Sequence, residues 1–281
     1  MTGTRAVTAP DGTRIAVTRS GRAVGPPVLL VHGAAADHTT WRVLGPRLGA
    51  ARDVWAMDRR GRGDSGDTLP YAIEREFEDV AAVAEAVAAE RGTPAIDVVG
   101  HSYGGRCALG AALRSEVVGR VVSYEGAPTP PGHRYGDEGL RAELAALAED
   151  GRLEELLETF MRRVVGMTAA ELERYRADPV WPRRVAAAGT IARELDAEAR
   201  AGGTLETLGR VRQPVLQVLG GASRPEFGAA THALDALLAD GRVVVIPGAR
   251  HAAHHTHPDE LLAHLDAFLE PVPAAGFTHR T

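Results

Sequence analysis

A serine flanked by glycines, in the segment GHSYG at residues 100–104, is the part of this chain best suited to chemistry. An apolar run, residues 95–99, precedes it, and a small-residue stretch with a helical pattern, residues 105–113, follows it. Glycines on both sides of a serine permit a sharp strand-to-helix turn that leaves the hydroxyl exposed at its tip. The alternative interpretation is a chance match in an ordinary loop, since so short a pattern occurs easily in a chain with 32 glycines. The strand-turn-helix context favours Ser102 as a nucleophile.

Four histidines near the end of the chain, at positions 251, 254, 255 and 257, supply a candidate base for that serine. A neutral imidazole can take the proton of a serine hydroxyl and return it to a leaving group. An imidazole-rich segment can instead bind zinc or nickel. The residue types alone therefore allow either a catalytic base or a metal centre.

The elements that would position these side chains alternate between strands and helices, which predicts an α/β fold with a mostly parallel sheet and helices on both faces. Eight strands are predicted, at residues 4–8, 13–19, 27–31, 52–57, 95–99, 117–124, 214–219 and 242–246. The alternation stops after a proline-rich opening at residues 128–131. Helical patterns follow it, at residues 138–149, 153–165, 169–176 and 181–200. We expect a core of residues 1–127 and 212–281 with a helical insertion, residues 128–211.

The composition argues against several other classes of function. The net charge is −5, from 32 basic and 37 acidic residues, and no basic block is present, so nucleic acid is not an expected partner. There is no apolar leader and no run of about 18 apolar residues, which predicts a soluble cytoplasmic protein without membrane association. The single cysteine, Cys107, is expected to be a small core residue. No nucleotide-binding glycine motif is present, so no cofactor is expected.

The succession of eight predicted strands with intervening helices along the chain, together with the serine turn, resembles the α/β-hydrolase family over nearly the whole chain. The pair His32-Gly33 after the third predicted strand is similar to a family element whose next backbone N–H contributes to an oxyanion hole. The resemblance therefore assigns this role to Ala34, partnered by the backbone N–H of Tyr103. Both assignments follow from position, since a backbone donor places no demand on its own side chain.

Two further segments carry the resemblance. The segment GARH at residues 248–251 matches the loop that delivers the family's catalytic histidine, which implies that His251 is the general base. The other histidines of the cluster are then exposed neighbours in a helix-capping loop, and no metal is expected. The segment DRRGRGDS at residues 58–65 is similar to a family turn that we interpret as structural, so that Asp58 is not catalytic.

The third member of a catalytic triad departs from the commoner family pattern. That pattern has an aspartate after the seventh strand, where this chain has Ser223. A neutral hydroxyl stabilises an imidazolium less well than a carboxylate does. Some branches of the family carry the acid at the end of the sixth strand, where Glu125 stands, and we expect Glu125 to be the acid. Glu226, close to Ser223, remains the alternative.

The resemblance also implies a role for the insertion, residues 128–211, which in this family is a helical cap over the nucleophile. Caps close a pocket from water and supply many of its substrate contacts. Trp41 and Trp181 are expected as pocket walls, although large aromatic side chains are more often packing anchors.

The implied function is hydrolysis of a small-molecule carboxylic ester, lactone or thioester through an acyl-enzyme on Ser102. Two alternatives stay open from the sequence. One is hydrolytic cleavage of a C–C bond, or a lyase reaction, by the same triad, and the other is a non-catalytic small-molecule binder that keeps the fold. The natural substrate and the oligomeric state are not encoded in any recognisable motif.

Overall fold

A single sheet of eight strands forms the centre of the computed structural model, which describes residues 3–20, 25–198 and 201–270. The strands are β1 (Gly3–Thr8), β2 (Arg14–Ser20), β3 (Pro27–Val31), β4 (Asp53–Met57), β5 (Ile96–His101), β6 (Val118–Tyr124), β7 (Val215–Gly220) and β8 (Gly241–Ile246). Their order across the sheet is β1-β2-β4-β3-β5-β6-β7-β8. Strand β8 is therefore an edge strand.

The direction of the strands brings several loops to one side of the molecule. Strands β1 and β2 form an antiparallel hairpin, and β2 pairs antiparallel with β4. Every other pair in the sheet is parallel. The carboxyl ends of β3 to β8 consequently lie along the same edge, which is where α/β sheets bind ligands. The predicted mostly parallel sheet with flanking helices is confirmed.

Twelve α-helices surround the sheet within the described ranges. They are α1 (Leu44–Leu48), α2 (Ile73–Arg91), α3 (Tyr103–Ala112), α4 (Glu138–Glu149), α5 (Leu153–Phe160), α6 (Ala169–Arg176), α7 (Trp181–Ala187), α8 (Ile191–Glu198), α9 (Leu205–Leu208), α10 (Pro225–Asp235), α11 (Ala253–Thr256) and α12 (Pro258–Leu269). Short 3₁₀ turns occur at His38–Trp41, Ala188–Thr190 and Ala201–Gly203, and a π-helical turn at Met161–Val165. None of these described helices is long and apolar enough to cross a bilayer.

The core has one layer on each face of the sheet. Alternate residues of the fully buried strand β3 point to opposite faces, as strand geometry requires. Leu29 packs in the cluster that includes residues of α2 and α3. Leu30 packs in the cluster formed with α1 and α12, which contains Leu44 and Leu265. Cys107 of α3 is fully buried in the first cluster, where it is a small core residue.

The helices α4 to α8 lie between β6 and β7 in the chain and form most of a third apolar cluster, which also includes Ala35, Leu219 and Phe227 of the sheet domain. The sequence predicts one helix over residues 181–200, whereas the structure has α7, a 3₁₀ turn and α8 in the described part of that range; residues 199–200 lie outside it. The break coincides with Gly189, a poor helix former. In addition, the Thr190 hydroxyl donates to the Ala187 carbonyl at 2.8 Å.

Ion pairs join this helical insertion to the sheet domain. Asp37, in the loop after β3, accepts hydrogen bonds from Arg183 at 2.6 Å and from Arg184 at 2.8 Å. The carboxylate of Asp37 and the guanidinium of Arg184 are almost fully buried. A second pair, Arg193 with Asp67 at 2.6 Å, is more exposed. The insertion is thus held over the carboxyl edge of the sheet by charged contacts as well as by apolar packing.

Candidate active site

Ser102 stands at the sharp turn between β5 and α3. Its backbone has φ 54° and ψ −127°, a conformation that is strained for a residue with a side chain. A Cβ atom on Gly104 would lie 2.3 Å from the carbonyl oxygens of Val31 and His32, and one on Gly100 would lie 2.3 Å from the carbonyl oxygen of Gly104. The two flanking glycines are therefore needed for close backbone packing, which places Ser102 at the tip of the turn.

His251 and Glu125 meet at this edge of the sheet from two different loops. The Nδ1 atom of His251 donates to Glu125 Oε2 at 2.5 Å, and both side chains are buried. The other carboxylate oxygen of Glu125 accepts a hydrogen bond from the backbone N–H of Gly220 at 2.7 Å. A proton held on Nδ1 leaves Nε2 of the neutral ring as an acceptor. Glu125 can therefore orient the imidazole of His251 so that its Nε2 acts as a general base.

Ser102 and His251 line the same two cavities. No hydrogen bond joins the Ser102 hydroxyl to the imidazole within the described residues, and such contacts are often looser without substrate. The ring of Phe227 stacks on that of His251 with centroids 4.5 Å apart. This stacking, together with the bond to Glu125, fixes the plane of the imidazole beside Ser102.

Glu226, the alternative acid, is engaged elsewhere. Its carboxylate accepts from Arg224 Nη2 at 2.8 Å and from Arg224 Nε at 3.2 Å, at the start of α10. Within the described structure no hydrogen bond links Glu226 to His251. The structure therefore brings Glu125, and not Glu226, to the imidazole.

Ala34 and Tyr103, whose backbone N–H groups are predicted to form an oxyanion hole, both line the smaller cavity together with Ser102. Tyr103 is the first residue of α3, so its N–H has no partner inside the helix. Neither the Tyr103 nor the Ala34 amide donates a hydrogen bond to any described residue. The loop of Ala34 packs tightly on the turn, since a Cβ atom on Gly33 would lie 3.0 Å from the Cβ of Ser102. Both donors are available to an oxyanion formed at Ser102.

His32 has a positioning role that sequence reasoning did not assign. Its Nε2 atom accepts from the backbone N–H of Arg59 at 2.9 Å, so its Nδ1 carries the proton and donates to the Gly33 carbonyl at 2.9 Å. Complete burial, reinforced by the charge of Arg59, lowers the pKa of His32 to about 3. The neutral imidazole of His32 thus ties the loop after β3 to the turn after β4.

The turn at residues 58–65 braces neighbouring loops. Asp58 Oδ1 accepts from the backbone N–H of His38 at 2.7 Å and from its Nδ1 at 2.8 Å. Asp58 Oδ2 accepts from the backbone N–H of Asp64 at 3.0 Å. Asp58 lines neither cavity at Ser102, which agrees with a structural turn.

The histidines that follow His251 differ from the expectation of exposed neighbours. His254 is only 2% exposed, and burial lowers its pKa well below the ordinary value. Its ring packs against those of Trp41 and His101, with centroids 5.5 and 4.4 Å away. His255 and His257 are half-buried. The described residues contain no group of three or more histidine, cysteine or acidic side chains placed to hold a metal ion.

Two cavities meet at Ser102. The smaller one, of about 40 Å³, extends under the insertion. Its lining includes Arg106, Phe160, Ile191, Glu194 and Phe227. The larger one, of about 360 Å³, runs from the serine toward the loop that follows β8. Its lining includes Met161, Met167, Tyr175, His254 and His255. Sequence reasoning missed most of these residues, because their position over the serine depends on how the insertion packs.

The two tryptophans predicted as pocket walls do not line either cavity. Trp41 lies behind His254, in the core layer with α1 and α12. Trp181 packs inside the insertion, where its indole N–H donates to Glu154 at 2.9 Å and its ring meets the edge of Tyr175. Both side chains are packing anchors, so the prediction of pocket contact is corrected.

The sheet topology, the strained serine turn and the helical insertion define an α/β hydrolase. A family model described as "Alpha/beta hydrolase family" matches residues 28–264, and the chain belongs to this family.

Among curated relatives, a pimeloyl-[acyl-carrier protein] methyl ester esterase of Neisseria meningitidis serogroup A is 30% identical over 255 residues, which are 87% of this chain and 77% of that protein. An N-formylmaleamate deformylase of Pseudomonas putida is 33% identical over 113 residues, which are 39% of this chain and 41% of the relative.

Solved structures agree on the fold. An alpha/beta hydrolase from Sphaerobacter thermophilus has 32% identity and a TM-score of 0.80, covering 95% of this chain and all of that one (100%). The enol-lactonase from Burkholderia xenovorans has 20% identity and a TM-score of 0.77, covering 94% of this chain and 99% of that one. At 20% identity the second likeness supports the fold alone.

Proposed function

We propose that this protein is a serine hydrolase that cleaves a small-molecule carboxylic ester, or a related lactone or thioester, through an acyl-enzyme on Ser102. The observation that carries the proposal is the hydrogen bond between Glu125 and His251 at a cavity that also contains Ser102. A carboxylate, an imidazole and a serine hydroxyl in this order are the parts that nucleophilic acyl transfer requires.

In the first half of the reaction, Nε2 of His251 accepts the proton of the Ser102 hydroxyl while Oγ attacks the substrate carbonyl carbon. The carbonyl oxygen becomes an oxyanion, which the N–H groups of Ala34 and Tyr103 stabilise. Glu125 stabilises the imidazolium formed on His251. The tetrahedral intermediate then collapses, and His251 donates its proton to the departing alcohol oxygen.

In the second half, a water molecule gives a proton to His251 and attacks the acyl-enzyme carbonyl. The second tetrahedral intermediate uses the same backbone donors. Its collapse breaks the bond to Ser102 Oγ, which regains a proton from His251, and the carboxylic acid leaves. Every step uses the same three side chains, so one arrangement serves both halves.

The two cavities suggest how the substrate is oriented. His251 protonates the leaving oxygen, so the group attached to that oxygen must lie beside His251. Ala252 and residues 254–257, which follow His251, line the larger cavity. We assign the leaving alcohol to the larger cavity and the acyl group to the smaller one.

One relative supports an ester as the scissile bond. The Neisseria meningitidis relative is named as a methyl ester esterase, and its similarity extends over most of this chain.

A fluorophosphonate probe and a substrate panel test the proposal together. We expect covalent labelling of the wild-type protein at Ser102, none in Ser102→Ala, and turnover of p-nitrophenyl esters, lactones or acyl thioesters. Labelling without turnover of any panel member would favour C–C bond chemistry. The absence of both labelling and turnover would favour a non-catalytic binder.

A further inference from the structure

Glu194 of α8 lies between the insertion and the sheet domain, and it is 1% exposed. One of its carboxylate oxygens, Oε1, accepts hydrogen bonds from the guanidinium groups of Arg59 and Arg62. Both arginines are fully buried, and both also bond to Glu76 of α2. Glu194 thus stands in a buried network in which two arginines fix the orientation of its carboxylate.

The second carboxylate oxygen of Glu194, Oε2, is buried and has no hydrogen-bond partner among the described residues. A buried oxygen of a charged group without a partner is destabilising, and native structures seldom keep one without a reason. Glu194 also lines the smaller cavity, together with Ser102. The unsatisfied oxygen thus belongs to a side chain that lines this cavity, next along α8 to the apolar residues Ile191 and Leu195 that line it too.

We propose that Glu194 is a specificity-determining residue, whose Oε2 accepts a hydrogen bond from a donor group at the far end of the substrate's acyl chain. This inference rests on the proposed ester hydrolysis and deepens it. The substrate class is an ester of a short carboxylic acid that ends in a neutral hydrogen-bond donor, such as a carboxamide or a hydroxyl.

The surroundings of Glu194 select among donor groups. An ionised carboxylate on the substrate has no proton to donate and meets a like charge at Oε2. An alkyl end leaves the oxygen unsatisfied. An ammonium group can donate, but the guanidinium group of Arg106 lines the same cavity, and those of Arg59 and Arg62 already bond to the same carboxylate. A neutral donor suits this wall best.

The size of the cavity limits the acyl group. A volume of about 40 Å³ corresponds to roughly three water molecules, at about 10–15 Å³ for each. Apolar side chains, among them Phe160, Val164 and Phe227, form part of the remaining lining. A chain of about four carbons with one polar end is therefore the expected acyl group.

Three benzyl esters of nearly equal shape test this inference. Their acyl groups are succinamate, hemisuccinate and 4-methylpentanoate, which end in a carboxamide, a carboxylate and an isopropyl group. For the wild-type protein we expect kcat/KM for the succinamate ester to exceed that of each of the others by about 10- to 100-fold.

The variant Glu194→Gln distinguishes recognition of the acyl group by Glu194 from the structural role of this side chain. The amide oxygen can remain with the two arginines, while the NH₂ replaces Oε2 and presents a donor instead of an acceptor. We expect the preference for succinamate over hemisuccinate to fall by about tenfold or more. Asp37→Asn is the matched control, because it weakens another buried contact between insertion and sheet domain but lines neither cavity. It should leave the ratio unchanged even where it lowers stability.

Binding to Ser102→Ala keeps the inference separate from the proposed function. The Kd values of the three intact esters for this variant, measured by calorimetry, should show the same order without any turnover. If no ester is hydrolysed but the order of binding holds, the ester hydrolysis is wrong and the recognition by Glu194 stands. If 4-methylpentanoate or hemisuccinate binds as well as succinamate, or if Glu194→Gln keeps the wild-type ratio, the inference is overturned.

Discussion

In the proposed mechanism, the negative charge of Glu125 stabilises the imidazolium that forms on His251. In Glu125→Gln the side chain keeps its shape but can present an NH₂ to His251, which favours the wrong imidazole tautomer. We expect kcat/KM to fall by about 10² to 10⁴, as for acid-to-amide changes in other triads. Steady-state kinetics on the best ester of the panel measure the loss.

Glu226→Gln is the matched control for that variant, because Glu226 bonds to Arg224 and not to His251. It should retain activity near that of the wild type. Adding Ser223→Asp to Glu125→Gln offers a carboxylate from the loop after β7, and part of the lost rate should return. If Glu226→Gln lost most of its activity while Glu125→Gln stayed near that of the wild type, the triad acid would lie after β7 and not at Glu125.

His251→Ala should abolish turnover, because no other imidazole bonds to Glu125 within the described residues. The expected loss approaches that of removing the nucleophile, several orders of magnitude and about 10⁶ in one well-studied protease. His232→Ala, on the exposed side of α10, is the control and should remain active. Inactivation of the wild type by a chelator, with recovery on adding zinc, would show that a metal is required instead.

Sequence reasoning predicts roles for residues with a strong local pattern and misses those that depend on packing. Ser102 and His251 lie in short motifs, and Glu125 is predicted from its place at a strand end where some branches of the family carry the acid. The burial of His254 was missed, because its position in the chain does not show that Trp41 and His101 enclose it. Glu194 was missed since a glutamate in a helical pattern is usually solvated, and its partners Arg59 and Arg62 are more than 130 residues away.

At the scale of elements, the loop after β3 is joined to the turn after β4 through His38 and Asp58. The hydrogen bond to Asp58 raises the pKa of His38 above its ordinary value of 6.5. A raised folded-state pKa means that the protonated pair stabilises the fold fully below about pH 6.5. This stabilisation is lost as the pH rises through the folded-state pKa.

The pH dependence can be measured with His38→Gln. The free energy of unfolding of wild type minus that of the variant should be larger at pH 6 than at pH 9, by roughly 1 kcal/mol for a partly buried pair. Urea unfolding at each pH gives both values. A difference that is constant over this range, or that grows with pH, would contradict a stabilising charged pair.

The contacts between the insertion and the sheet domain should differ in strength according to burial. Asp37→Asn leaves the buried guanidinium of Arg184 without its charged partner, and we expect a loss of about 3 kcal/mol in the free energy of unfolding. Asp67→Asn removes the exposed pair with Arg193 and should cost less than about 1 kcal/mol. Thermal or urea unfolding of the two variants compares them directly, and equal losses would refute the ranking.

The elements themselves were predicted well where one signal dominates. The bounds of β3 and α4 match the expectation at residues 27–31 and 138–149, where an apolar run and a helical periodicity mark them clearly. The helix expected over residues 181–200 is broken at Ala188–Thr190, since local side-chain hydrogen bonding and tertiary packing decide such breaks.

At the scale of the whole molecule, the proposed triad is assembled from distant parts of the chain. Ser102 follows β5 and Glu125 follows β6, whereas His251 follows β8 and is 126 residues beyond its carboxylate partner. The helical insertion lies between β6 and β7 and covers the same edge. The arrangement therefore exists only when both the insertion and the last two strands are in place.

The edge position of β8 has a consequence for how the protein fails under stress. Ser102, the proposed nucleophile, follows an interior strand with a partner on each side. His251, the proposed base, follows a strand that, among the described residues, pairs only with β7 and whose Val245 is 47% exposed. Edge elements open locally at lower cost than interior ones. Mild urea or heat should thus inactivate the protein reversibly while far-UV circular dichroism still reports a folded sheet, and coincident midpoints for activity and ellipticity would disprove this. His251 would thus be displaced from the proposed active site before the sheet unfolds.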